Sequence, residues 1–174
     1  VYLYRAYDDD DDIPDCWANI SCEELSNWNR GDAPFADSRN YNVGAAPGTD
    51  WDGDDYMVIR HWFQLPADLD FNGGIINHAF ENYVLTYING HKLFNERGGG
   101  SHGAQYWNSD GHQTIPKEWF NLGGPNLVAA RGRDTGSGGQ NRQWLDLEVS
   151  LDIGEEKTTH EVTVQILPTY DFVL

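Results

Sequence analysis

The run Tyr83-Val84-Leu85-Thr86-Tyr87-Ile88-Asn89-Gly90-His91-Lys92-Leu93-Phe94 constrains the fold more than any other stretch. Asn89-Gly90 stands between two apolar segments. A two-residue type I′ turn needs φ > 0 at both central positions, which Asn tolerates and Gly adopts freely. The spacing predicts a hairpin with strands at Tyr83 to Ile88 and His91 to Phe94, followed by a glycine-rich loop. Tyr83, Leu85 and Tyr87 share one face of the first strand, and Val84, Thr86 and Ile88 share the other. Neither face is strongly polar, which predicts a central strand covered on both sides.

The same alternation recurs elsewhere. In Tyr56 to Leu65, Met57, Ile59, Phe63 and Leu65 point one way and Tyr56, Val58, Arg60, Trp62 and Gln64 the other, and Pro66 ends the run. Leu145, Leu147, Val149 and Leu151 alternate with Asp146, Glu148 and Ser150, and Val162, Val164 and Ile166 alternate in His160 to Leu167. Gly154-Glu155-Glu156-Lys157 predicts a hairpin between these last two strands. Val1 to Tyr7 and Asn126 to Arg131 are further strands. Asp70 to Asn77 reads as a turn around Gly73-Gly74, and Ile115 to Phe120 as a helical turn or a loop over the core. Segment 14–55 is mostly loop. Helix-period segments of any length are missing, while nineteen Gly and seven Pro supply turns. The pattern predicts an all-β sandwich or barrel, and 174 residues suit one domain with a sizeable core.

A formal net charge of −17 excludes nucleic acid as a partner, because phosphates need Lys and Arg. It equally excludes an anionic membrane surface, and no apolar run reaches the roughly 18 residues needed to span a bilayer. The acids have two readings, a solubilising surface or a divalent-cation site. Asp8 to Asp12 place five carboxylates in a row, and Asp50, Asp52, Asp54 and Asp55 surround Gly53. The second group fails the calcium-loop pattern, since Asp55 stands where that pattern needs glycine and His61 where it needs the closing Glu. Cys16 and Cys22 flank Trp17 closely enough for a short disulfide, which suits an extracellular, secreted or cell-surface protein.

Several motifs, taken in order, resemble one known group. Trp28-Asn29-Arg30-Gly31-Asp32-Ala33-Pro34-Phe35 is followed by Thr49-Asp50-Trp51 and the strand around Arg60-His61-Trp62-Phe63. Phe80-Glu81-Asn82-Tyr83-Val84-Leu85-Thr86-Tyr87-Ile88-Asn89-Gly90 and Gly124-Pro125-Asn126-Leu127-Val128-Ala129-Ala130-Arg131 come next. The arrangement resembles the galactose-binding-like jelly-roll superfamily, which includes sugar-binding domains attached to many glycoside hydrolases. The resemblance covers residues 28–151 and leaves 152–174 as an extra C-terminal strand or tail. It implies one antiparallel β-sandwich jelly roll over 1–174. It also implies a structural calcium tying an early loop to the last core strand, with Asp8, Asp10, Asp52, Asp54 and Glu148 (or Asp146) as ligands.

Chemistry of its own is not expected. Gly99-Gly100-Ser101-His102-Gly103 matches the nucleophile-elbow string but lacks the strand–turn–helix setting that gives the string its meaning. The six histidines show no metal-ligand spacing, and in the resembling domains the hydrolytic centre lies in another domain. Binding is the better expectation. Sugar rings stack on flat aromatics while their hydroxyls take charged and amide partners. In jelly rolls of this kind ligands lie on loops at one end, which brings segments 96–112 and 131–144 together. The candidates are Tyr106, Trp107, His102, Arg97, Trp51, Arg133 and Arg142, with Trp119 and Asn141 beside them. The expected function is a non-catalytic, lectin-like module binding carbohydrate or glycoprotein, in adhesion or attachment. Two alternatives are a self-assembling structural subunit, donating the strand Val162 to Ile166, and an accessory domain of a larger glycoside hydrolase.

Overall fold

The computed structural model describes residues 1–23, 27–37, 48–51, 56–80, 83–97, 113–133 and 143–153, the side chains of Glu96 and Arg97 excepted. Eleven strands occur among them: β1 (Tyr2–Tyr7), β2 (Asn29–Gly31), β3 (Phe35–Ala36), β4 (Thr49–Asp50), β5 (Tyr56–Gln64), β6 (Gly73–Phe80), β7 (Tyr83–Ile88), β8 (His91–Arg97), β9 (Gln113–Pro116), β10 (Pro125–Arg133) and β11 (Trp144–Asp152). They form a six-stranded sheet, β2-β1-β5-β10-β7-β8, and a five-stranded sheet, β4-β3-β11-β6-β9. Every pairing is antiparallel except β3 with β4. Among the described residues the only helical pieces are 3-10 turns at Asp10–Asp12 and Lys117–Trp119. No helix there is long and apolar enough to cross a membrane.

The expected hairpin is present. Asn89 has φ 50° and Gly90 φ 83°, so the chain reverses where sequence placed the turn. Asn89 does more than turn. Its Nδ2 donates to the Trp119 carbonyl (2.7 Å) and to Asn126 Oδ1 (2.8 Å), and its Oδ1 accepts the Leu127 N–H (2.7 Å). The hairpin is thereby tied to β10.

The sandwich core lies between the sheets, where Met57, Ile59, Val84, Ile88, Val128 and Ala130 meet Phe35, Ile76, Phe80, Ile115, Leu145 and Leu147. Burying a Leu-, Ile- or Phe-sized side chain stabilises by about 1.5–3 kcal/mol, so this interface dominates the fold. A buried polar tie crosses it: His78 of β6 lies 2.9 Å from Thr86 Oγ1 of β7, with its ring stacked on Phe94. The outer face of the six-stranded sheet is also covered. Ile13, Trp17 and Ala18 pack over Val58, Leu85, Leu127 and Ala129, and the Trp17 ring meets Tyr87 edge-on at 5.3 Å. The expected Cys16–Cys22 disulfide pins this cover.

One expectation is corrected and one is met in part. Gly73-Gly74 opens strand β6 instead of forming a turn. A Cβ at Gly74 would lie 2.8 Å from the Phe120 ring and one at Gly73 2.7 Å from the Ile115 carbonyl, so these glycines admit close packing within a sheet. The segment from Ile115 to Phe120 divides into the end of β9 and a 3-10 turn over the core. The expected strand at His160 to Leu167 lies outside the described residues.

Candidate functional site

Registers across the six-stranded sheet line up its last row. Tyr7 faces Tyr56, Tyr56 faces Arg133, Arg133 faces Tyr83, and Tyr83 faces Arg97. Residues directly opposite in antiparallel pairs project to the same side, so Tyr7, Tyr56, Arg133 and Tyr83 share the outer face. The next row with this parity runs Arg5, Val58, Arg131, Leu85, Asn95. Arg60 follows one row further on. Arg5, Arg60, Arg131 and Arg133 thus put four of the chain's eleven Lys and Arg on a single sheet face.

The tyrosines hold the arginines flat. The Arg133 guanidinium carbon lies 5.0 Å from the Tyr56 ring centre, and that of Arg5 lies 5.0 Å from Tyr7. Arg131 sits between two rings, 5.6 Å from Tyr56 and 5.9 Å from Tyr83. Tyr83 is fixed in turn by a 2.9 Å hydrogen bond from its hydroxyl to Asn95 Oδ1. A guanidinium stacked on an aromatic face keeps its in-plane N–H groups for an anion.

One anion is already there. Asp9 caps the turn Asp10–Asp12 by accepting the Asp11 N–H at 3.2 Å, and Ile13 anchors the far side in the outer cluster. The turn delivers the Asp10 carboxylate to Arg131 Nη1 in an ion pair. Arg131 Nε is buried without a hydrogen-bond partner among the described residues. Arg5 and Arg133 have no carboxylate partner there either. The result is a patch of arginines bordered by the acidic run Asp8 to Asp12, with Arg5 and Arg133 left without a carboxylate among the described residues. What it offers chemically is a set of forked guanidinium donors, and among the described residues no nucleophile there is paired with a base.

A second basic group lies deeper. Arg60, fully buried, donates from Nη2 to the Asn19 carbonyl at 2.7 Å and stacks 4.5 Å from Trp62. Burial draws its guanidinium down to about 10, which still leaves it charged at neutral pH. Its Nε and Nη1 are without hydrogen-bond partners among the described residues.

The sequence candidates divide. Arg133 is in the patch, and Arg97 ends β8 one position across from Tyr83. The chain leaves this same end into segments 98–112, carrying His102, Tyr106 and Trp107, and 134–142, carrying Asn141 and Arg142. The expected convergence of the two segments falls outside the described residues, as do those five residues and Asp52 and Asp54. Trp51 is corrected. It is 1% exposed, and its ring lies against Gly132, where a Cβ would come within 2.9 Å of it, so it is packed in the core. Trp119 stacks on His91 at 4.9 Å, at the opposite end of β8. Asp8 is exposed just beyond Tyr7, and Asp10 is engaged by Arg131. Glu148 sits on the outside of the other sheet, accepting a 3.4 Å hydrogen bond from Asn77. Among the described residues no three acids, histidines or cysteines gather as a metal-binding group. Sequence reasoning missed Arg5 and Arg131. Their strand periodicity was visible, but only the registers between strands place them beside Arg133.

No protein-family model matches the sequence, and a comparison with curated proteins finds no relative. Solved structures do match. A glycosyl hydrolase family 2 member from Bacteroides cellulosilyticus DSM 14838 aligns at a TM-score of 0.55 and 14% identity, over 86% of this chain and 20% of that one. A β-glucuronidase of Bacteroides uniformis aligns at 0.56 and 14%, over 86% of this chain and 17% of that one. A β-glucuronidase from Ruminococcus gnavus, solved with D-glucuronic acid, gives 0.51 and 14%, over 76% and 20%. The likeness is one of fold: the expected all-β sandwich of two sheets, of a kind found within such enzymes. This chain spans about a fifth of their length.

Proposed function

We propose that the chain is a non-catalytic accessory domain of a larger glycoside hydrolase, supplying a rigid β-sandwich beside a saccharide-cleaving centre. One observation carries this reading: a fold match over 86% of this chain that accounts for only 17–20% of each matched enzyme. That is the proportion expected of one module in a multidomain protein. It favours the accessory-domain alternative over a free-standing lectin-like module, while contact with carbohydrate belongs to both. The arginine–tyrosine patch supports a binding role, since it combines fixed donors with no hydrolytic pair. The Cys16–Cys22 bridge supports an oxidising, extracellular setting. A structural calcium using Asp8, Asp52 and Asp54 belongs to the same proposal.

The deciding experiment reads the source gene past Leu174 and compares two purified proteins, this chain and the complete product, on aryl glycosides including an aryl glucuronide. The expected result is an open frame continuing into a catalytic region, turnover by the complete product and none by this chain. A frame that stops at Leu174, or turnover by the chain alone, overturns the reading.

A further inference from the structure

The geometry points to a carboxylate-binding subsite for an acidic, uronic-type saccharide on Arg131 and Arg133, with Asp10 as an internal carboxylate that competes for it. The inference rests on the accessory-domain reading for the choice of a saccharide, and on the patch for the choice of an acidic one. Arg133 is exposed, stacked on Tyr56 and without a carboxylate partner among the described residues. Arg131 lies two residues before it on β10, so both side chains project from the same face about 7 Å apart along the strand. That separation lets one carboxylate take the N–H fork of Arg133 while a neighbouring ring oxygen or second acid reaches Arg131.

Charge makes the site specific. The molecule carries 28 acids against 11 basic residues, and five of those acids form the Asp8–Asp12 run beside the patch; Arg133 stands without a carboxylate partner among the described residues, and an acidic sugar reaches Arg131 by displacing Asp10. Asp10 shows what Arg131 accepts. A carboxylate presented by a short turn already occupies Nη1, and Nε is left buried and unpartnered beside it. The ordered tyrosine floor means that little side-chain entropy is lost when a ligand pairs with these arginines. A neutral sugar would gain little there, since the Tyr56 and Tyr83 faces are already covered by Arg131 and Arg133.

The test is calorimetric titration of the chain with trigalacturonate and, in parallel, with its carboxyl-reduced neutral analogue, in 20 mM NaCl. Expected is binding of the acid and not of the neutral sugar. Arg133→Gln and Arg131→Gln should each weaken binding about tenfold, the loss of a charge-assisted pair. Asp10→Asn should tighten binding several-fold, because it removes the rival and keeps the turn. Lys117→Gln makes the same charge change at the far end of the sandwich, where Lys117 pairs with Asp70, and should alter nothing. Arg133 is exposed, so its variant stays folded even if Arg131→Gln does not. Three outcomes each overturn the proposal: no binding of trigalacturonate to wild type and Asp10→Asn alike, equal binding of the neutral sugar, or weaker binding after Asp10→Asn. Failure of the accessory-domain reading would appear in the reading frame and the hydrolysis assay instead.

Discussion

Asp146 shows how much of a residue's behaviour is set by what lies around it. Sequence alternation puts it on the outward row of β11, and it is there, yet it is only half-exposed. Burial raises its carboxyl from an ordinary 3.8 to about 6; Glu148 pushes the same way, and the Leu147 N–H, donating to its Oδ1 at 2.9 Å, pulls the other way. Tyr2, whose hydroxyl donates to the Leu147 carbonyl at 3.4 Å, is itself pushed upward by burial and by Asp146. The folded pKa lies above the unfolded one. Stability from this group is therefore fully present below about pH 4 and is lost as pH rises through 6. The shift corresponds to about 3 kcal/mol unscreened, and partial exposure reduces the realised effect to about 1 kcal/mol. Asp146→Asn keeps an acceptor for the Leu147 N–H and removes the charge. It should raise the melting temperature by about 2–4 °C at pH 7.5 and not at pH 3.5. Thermal melts at the two pH values check this, and an equal gain at both would show that charge is not the cause.

At the scale of elements, the sequence was most readable where local chemistry and tertiary packing agree. Asn89-Gly90, the alternation of Tyr56 to Leu65 and the inward row Leu145, Leu147, Val149, Leu151 all stand as predicted, because a period of two and a type I′ turn are local properties. Gly73-Gly74 misled because a glycine admitted for close approach of Phe120 looks, in one dimension, like a glycine admitted for a turn. Trp51 misled because burial depends on Gly132, far along the chain. The candidate site was half legible: Arg133 was singled out, while Arg5 and Arg131 needed the registers of β1, β5 and β10. The cover formed by Ile13 to Cys22 was legible only as a disulfide, since nothing local says which face it lies on. Its role is testable. Closing so short a loop stabilises by about 2 kcal/mol in the chain-entropy picture. The double variant Cys16→Ala, Cys22→Ala should lose about that much, with hydrogen exchange quickening first at residues 13–22 and at Arg60, whose Nη2 is held by Asn19, and last in β6 and β11. Uniform quickening across both sheets would show that the bridge stabilises the whole sandwich and not this cover.

Across the whole molecule, charge sets two responses to salt that run in opposite directions. A net −17 concentrates like charges on one small domain, and their mutual repulsion opposes the compact state. The screening length falls from roughly 10 Å at 0.1 M to about 3 Å at 1 M, so added salt relieves this repulsion before it weakens contacts at ion-pair distance. Among the described residues the ion pairs available to lose are few: two exposed ones, the amino terminus with Asp32 at 3.6 Å and Lys117 with Asp70 at 3.8 Å, and the partly buried pair of Arg131 with Asp10. Exposed pairs contribute about 0–1 kcal/mol each, less than the relief expected from screening so large an imbalance. Raising NaCl from 20 to 500 mM at pH 7.5 should therefore raise the melting temperature by several degrees. The arginine–tyrosine patch should respond the other way, its affinity for an acidic saccharide falling over the same range because the attraction acts between a few charges at the surface. Melts and titrations on one salt series measure both. Stability that falls with salt would mean that paired charges such as Arg131 and Asp10 outweigh the repulsion of the acidic surface, and that the patch is an integral tie of the sandwich and not a site held ready for a ligand.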